Sequence, residues 1–134
     1  MKKIVETATY KFATTSKYKN ANSCDCVIRS ISLAMGKDWK EVFDGLCTIA
    51  REMYRIPNEK LVYEKYLEQN GWKKMPQPRY DDNTKYLAGH FCKKVNGNVI
   101  ARVGGHHLSC IIDHKIHDIW DCGSKCVGNY WIKQ

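Results

Sequence analysis

The stretch Asn20-Ala-Asn-Ser-Cys-Asp-Cys26, running straight into Val27-Ile-Arg-Ser-Ile-Ser-Leu-Ala-Met35-Gly36, decides how the chain is read. A polar loop gives way at once to an apolar run that a glycine stops. The pattern predicts a helix from about Asp25 to Met35, ended at Gly36. Val27, Ile31, Leu33 and Ala34 give it a wide apolar face, so it is expected to be central and buried. Cys26 then falls on the first helical turn, where the partial positive charge of a helix N-terminus stabilises a thiolate. Cys24 is an alternative reactive thiol, but it precedes the helix and gains less from the dipole.

Outward from that helix, the pattern predicts helices first and strands later. Residues 4–12 alternate loosely (Ile4, Glu6, Ala8, Tyr10, Phe12) and read as a strand or extended arm, and residues 13–23 read as a loop. A second helix follows Asp38, a plausible N-cap, with Trp39, Val42, Phe43, Leu46, Ile49, Ala50 and Met53 at helical spacing. Pro57 breaks the chain. A third helix is expected from about Glu59 to Gln69 behind Asn58, closed by Asn70-Gly71. Residues 72–83, with Pro76, Pro78 and Asp81-Asp82-Asn83, read as a surface loop, and about Thr84 to Val95 as a short helix. Four strands are then expected: 99–103, 107–113, 116–121 and 129–133, with a tight turn at 113–115. Helices followed by an antiparallel meander make the fold class α+β.

Composition narrows the class further. A chain of 134 residues suits one domain with a core that needs no staples. The N-terminus is too polar for a signal h-region and no stretch reaches transmembrane length. A cytoplasmic location without membrane association is therefore expected. Seven cysteines, an odd number in a chain without an export signal, suit free thiols better than a disulfide framework. The net charge of +8 allows a nucleic-acid or acidic-protein partner. Because the lysines are scattered and no basic motif is concentrated, a solvated basic face is the favoured reading.

Thiol chemistry needs a thiolate, a nearby base, a group that orients the base, and donors for an oxyanion. Each has a candidate. Cys26 is the nucleophile. His107 opens a strand directly after Gly104-Gly105, a pair that permits close backbone approach; the adjacent His106 is an alternative base. Asp118 lies on the next strand, across the tight turn. There it is a few residues along the sheet from His107, within reach if the strands are sheared or bulged. Asn20 or Asn22 offers an amide beside the Cys26 N–H as an oxyanion donor. Each residue also has a plainer reading: a free cysteine often simply packs, the histidines can belong to a loop, and Asp118 can pair with His117 or a lysine. A rival constellation is a zinc site around Cys122-x3-Cys126 with His114, His117, Cys110 and Cys24, although neither close cysteine pair has a strong zinc spacing. The preferred chemistry calls for no metal and no cofactor. Trp39, Tyr54, Tyr63, Tyr66, Trp72, Tyr130 and Trp131 read as core and rim aromatics rather than a stacking platform.

In this order the residues resemble the papain-like cysteine peptidase superfamily. That family has a glutamine six residues before the cysteine that opens its central helix, and Asn20 stands six residues before Cys26. Its histidine starts a strand, as in His107-Leu-Ser-Cys-Ile-Ile, and Asp118-Ile119-Trp120 is similar to its Asn-Ser-Trp. The Asp-Cys-Val-Ile-Arg helix start and the Trp-Asp near the C-terminus also resemble small phage and bacterial proteins. The resemblance implies one papain-like domain over residues 1–134. It implies a thiol hydrolase that cleaves a peptide or isopeptide bond in a protein or peptide substrate. The same triad also runs acyl transfer and deamidation. A non-catalytic basic module that binds nucleic acid or a host protein is the alternative from another class.

Overall fold

The computed structural model describes residues 5–18 and 24–134. Helix α1 (Cys26–Met35) is where the sequence puts it, and Gly36 ends it in the left-handed conformation with φ 66°. Asp38 caps α2 (Trp39–Met53) by accepting a hydrogen bond from the Lys40 N–H. Helix α3 (Lys60–Gln69) starts behind Glu59, one residue later than the expected Asn58 cap. Buried faces of α1, α2 and α3 share one core with Ile100, Leu108, Cys110 and Trp131 of the sheet.

The described residues form four helices and a six-stranded mixed sheet in the order β1-β5-β4-β3-β6-β2. Its strands are β1 (Tyr10–Phe12), β2 (Trp72–Met75), β3 (Val99–Val103), β4 (His107–Ile112), β5 (Lys115–Asp118) and β6 (Val127–Lys133). The α+β class is as expected, but the sheet is not a purely antiparallel, C-terminal meander. Strand β1 pairs with β5 in parallel, Tyr10 opposite Ile116 and Phe12 opposite Asp118. With that edge of β5 occupied, β6 pairs with the free edge of β3 instead. Val99, Ala101, Val103, Ile111 and Ile116 form the second core, with Tyr10 and with Ala88 and Phe91 of α4 (Ala88–Phe91). Strand β3 is buried on both faces, which is why its sequence is a continuous apolar run apart from Arg102.

Three local expectations are corrected. Residues 72–75 form an edge strand, not loop: Trp72 is buried while Lys73 and Lys74 face solvent, and such lysines protect an open sheet edge. The helix expected over 84–95 is only Ala88–Phe91. Val127 N–H donates to the Tyr86 carbonyl and Ala88 N–H to that of Lys125, so the preceding residues are held extended. The early residues make a small hairpin rather than one long strand, with Glu6 bridged to Lys11. Gly89 and Gly123 sit where the loop to β6 crosses α4; a Cβ on Gly89 would lie 3.2 Å from the Gly123 carbonyl oxygen.

Trp131 is 1% exposed and packs edge-on to Tyr63 at 5.7 Å, joining the sheet to α3. Trp131→Ala is expected to lower stability by about 3–5 kcal/mol. Urea unfolding followed by circular dichroism measures this; a loss below about 1 kcal/mol would contradict its place in the core.

Candidate active site

Two tight turns set the positions of the site's residues. Asp113 and His114 both have positive φ (50° and 65°), the requirement of a two-residue hairpin turn that pairs Ile112 with Lys115. The register then runs Ile111 to Ile116 and Cys110 to His117. One further step brings Ser109 opposite Asp118. His107, two residues before Ser109, lies on the same face of β4 and diagonal to Asp118, within reach of a long side chain. Neither a shear nor a bulge between β4 and β5 is needed. Gly104 and Gly105, at φ 63° and 87°, form the turn that delivers His107 to the start of β4.

Asp118 is the centre of a dense polar cluster. Its Oδ2 lies 2.5 Å from His107 Nε2 and accepts from Ser109 Oγ at 2.6 Å. Its Oδ1 accepts from Arg29 Nη2 at 2.9 Å and from the Ile119 N–H at 2.7 Å. Tyr10 donates its hydroxyl to the Asp118 backbone carbonyl. Asp118 and Arg29 are only 1% and 2% exposed. Arg29 also donates to Asp25, whose other oxygen accepts from Trp39 Nε1. Arg29 therefore joins the first turn of α1 to the end of β5.

Burial pushes the Asp118 carboxyl up. The hydrogen bond and charge of His107, the Ser109 hydroxyl and the Arg29 charge outweigh it and hold the group below its ordinary value. Desolvation likewise pulls His107 down, but hydrogen bonds to Asp118 and Cys26 and both partners' negative charges raise it to about 9. For Cys26, desolvation acts upward. Its hydrogen bond with His107, one from the Leu108 backbone, and the charges of His107 and Arg29 bring the thiol below its ordinary value. With Nε2 on Asp118, the ring leaves Nδ1 for Cys26. Trp120 packs edge-on against the imidazole at 4.9 Å between centroids. A lowered thiol beside a raised imidazole favours a thiolate–imidazolium pair, a nucleophile next to an acid.

The other candidates are placed differently. His106 is exposed on the turn, and Cys24 is exposed ahead of α1. Asn20 and Asn22 lie outside the described residues. Desolvation raises the buried thiols Cys92, Cys110 and Cys122, the last to about 12, so Cys26 goes the opposite way from them. Among the described residues, the metal-ligating side chains that converge are His107, Asp118 and Cys122, within 4.8 Å of one another. The rival zinc set is not assembled: Cys122 is buried while Cys126 is exposed, and His114 bonds the Cys92 carbonyl. In the convergent group, His107 and Asp118 are bonded to each other, Arg29 holds the second carboxylate oxygen, and Cys122 stays protonated. That arrangement disfavours a cation, which needs free and deprotonated ligands.

Arg29 and Ser109 are site residues that the sequence reading did not single out. The signal for Arg29 was available: one cation inside the apolar run, four residues after Asp25. Ser109 is two residues from His107, the spacing of one strand face. No protein-family model, no curated protein and no solved structure matches the chain. No helix among the described residues is long and apolar enough to cross a membrane.

Removing Arg29 leaves the Asp118 carboxylate buried without its permanent cation. Arg29→Ala is expected to lose about 3–5 kcal/mol at neutral pH. Because Asp118 is lowered in the folded protein, its contribution is present above the unfolded value of about 4 and fades as pH falls below it. The deficit of Arg29→Ala should therefore narrow in acid. Urea unfolding of both proteins at neutral and acidic pH checks this; an equal gap at both values contradicts the ion pair's role.

Proposed function

We propose that this chain is a papain-like thiol hydrolase that cleaves a peptide or isopeptide bond in a protein or peptide substrate, with Cys26, His107 and Asp118 as its triad. The observation that carries the reading is the His107–Asp118 pair at 2.5 Å with Cys26 beside the imidazole, close enough that the thiol is lowered and the imidazole raised. The edge-on Trp120 supports it, since the ring shields one side of the imidazole from water.

In the proposed reaction the Cys26 thiolate attacks the acyl carbon. A C–S bond forms and the carbonyl electron pair moves onto oxygen. The Cys26 N–H stabilises that oxyanion, and the proposed second donor is the side-chain amide of Asn20 or Asn22. Such donors contribute about 3–4 kcal/mol each in known cases. The His107 imidazolium gives its proton to the leaving amine as the C–N bond breaks. Water then attacks the thioester as His107 takes its proton, the C–S bond breaks, and the carboxylic acid leaves with the Cys26 thiolate and His107 imidazolium restored. Asp118 fixes the ring with Nδ1 toward sulfur and stabilises the imidazolium. Arg29, Ser109 and the Ile119 N–H keep Asp118 ionised and still.

The reactive pair exists between the lowered Cys26 value and the His107 value of about 9. Alkylation of Cys26 by iodoacetamide, followed residue by residue by peptide mass spectrometry, should persist well below the ordinary thiol range. In His107→Ala the desolvation remains and the bond and charge are gone. The midpoint should then move up to about 8.5 or above. A wild-type midpoint near 8.5, unmoved by His107→Ala, sinks the proposal.

A further inference from the structure

We propose that the basic cleft beside the His107 turn is a binding site for acidic side chains, so that the chain takes acidic peptides as its substrates. The fate of the bound peptide rests on the thiol-hydrolase reading; its binding does not. The cleft encloses about 390 Å³ and is lined by Lys60, Lys85, Arg102, Gly104, Gly105 and Cys126 among others, with no carboxylate among the described residues of its wall. Three cations lining one small cleft whose described lining holds no carboxylate favour an anionic occupant.

The cleft adjoins the candidate active site. Gly104 and Gly105 form its wall and lead directly into His107. Arg102 Nη1 lies 3.5 Å from the Tyr63 hydroxyl, and Tyr63 is near enough to Cys26 to feel the thiolate's charge. A peptide side chain seated here would bring its backbone past the thiol.

Arg102 and Lys60 are held in place before any ligand arrives. Arg102 sits on β3, and its Nε and Nη2 donate to the Gly105 carbonyl at 2.8 and 2.5 Å. With the Tyr63 contact, three of its five N–H donors are committed to described residues, leaving donors for a carboxylate. Lys60 starts α3 and reaches Asn129 Oδ1. Its partial burial, then repulsion from Lys74 and Arg102, draw the ammonium below its ordinary value although Glu64 pulls the other way. A bound carboxylate relieves that repulsion. Gln77, also in the lining, donates to the Val127 carbonyl.

The cleft suits a peptide better than a nucleic acid. Its volume is that of a few side chains, and among the described residues no aromatic ring lines it for base stacking. The test uses the full chain carrying Cys26→Ser, so that binding is read without turnover. A fluorescein-labelled glutamate-rich peptide and its glutamine counterpart are titrated by fluorescence anisotropy at low and high salt. A single-stranded oligonucleotide of similar charge serves as the third probe. The glutamate peptide should bind at least about tenfold more tightly than the glutamine peptide, and salt should erode the difference. Adding Lys60→Gln and Lys85→Gln, both outside the cores, should remove most of the preference with an unchanged circular-dichroism spectrum. The proposal is overturned if the two peptides bind equally, if the doubly substituted protein keeps the preference, or if the oligonucleotide outbinds the glutamate peptide. Failure of the thiol reading shows separately, as an ordinary titration of Cys26 in the alkylation experiment.

Discussion

The buried Asp118 carboxylate is the constraint on which the rest of the site depends. A carboxylate taken out of water is tolerated only with strong compensation, and Asp118 receives it from three parts of the fold at once. Arg29 comes from α1, His107 and Ser109 from β4, and the Ile119 N–H from the chain just after β5. None of these donors can be moved without leaving a charge uncompensated. The carboxylate thus fixes the distance between the start of α1 and the start of β4, which is where Cys26 and His107 meet.

The electrostatics follow from that placement. Desolvation is the largest effect on Cys26, His107 and Asp118 alike, and acting alone it would neutralise all three. Because they sit in series, each is charged by its neighbour. Asp118, held ionised partly by Arg29, raises His107, and the charged imidazole lowers Cys26. Cys110 and Cys122 show what burial and the Asp118 charge do to a thiol: both are pushed up, Cys122 to about 12. Cys26 goes the other way because its hydrogen bond and its nearest charge are those of the His107 imidazole.

Much of this was legible in the sequence, and the parts that were not share a cause. The helix start at Cys26, the stop at Gly36, the Asp38 cap and the His107 strand follow from local rules of capping, periodicity and turn chemistry. So does the pairing of His107 with Asp118, since a tight turn fixes register over a few residues. What local rules do not carry is pairing between distant segments. The parallel contact of β1 with β5 and the docking of β2 on β6 join residues far apart in the chain. The Lys-Lys pair of β2 reads as loop until its neighbour strand is known. Arg29 belongs to the same class, because its partner Asp118 lies 89 residues away.

The non-local pairing also explains why the site can be rigid. Strand β5 is short, and on β4 alone its last residue would be free to fray. Tyr10, Lys11 and Phe12 cover its other edge, and Ala13 N–H donates to the Asp118 carbonyl that also accepts from Tyr10. The backbone at Asp118 is therefore bonded from β1 while its side chain is bonded from α1 and β4. A general base works best when its orienting partner cannot move. In the proposed chemistry, β1 contributes no reacting group. It acts through Asp118, by holding still the carboxylate that holds the imidazole.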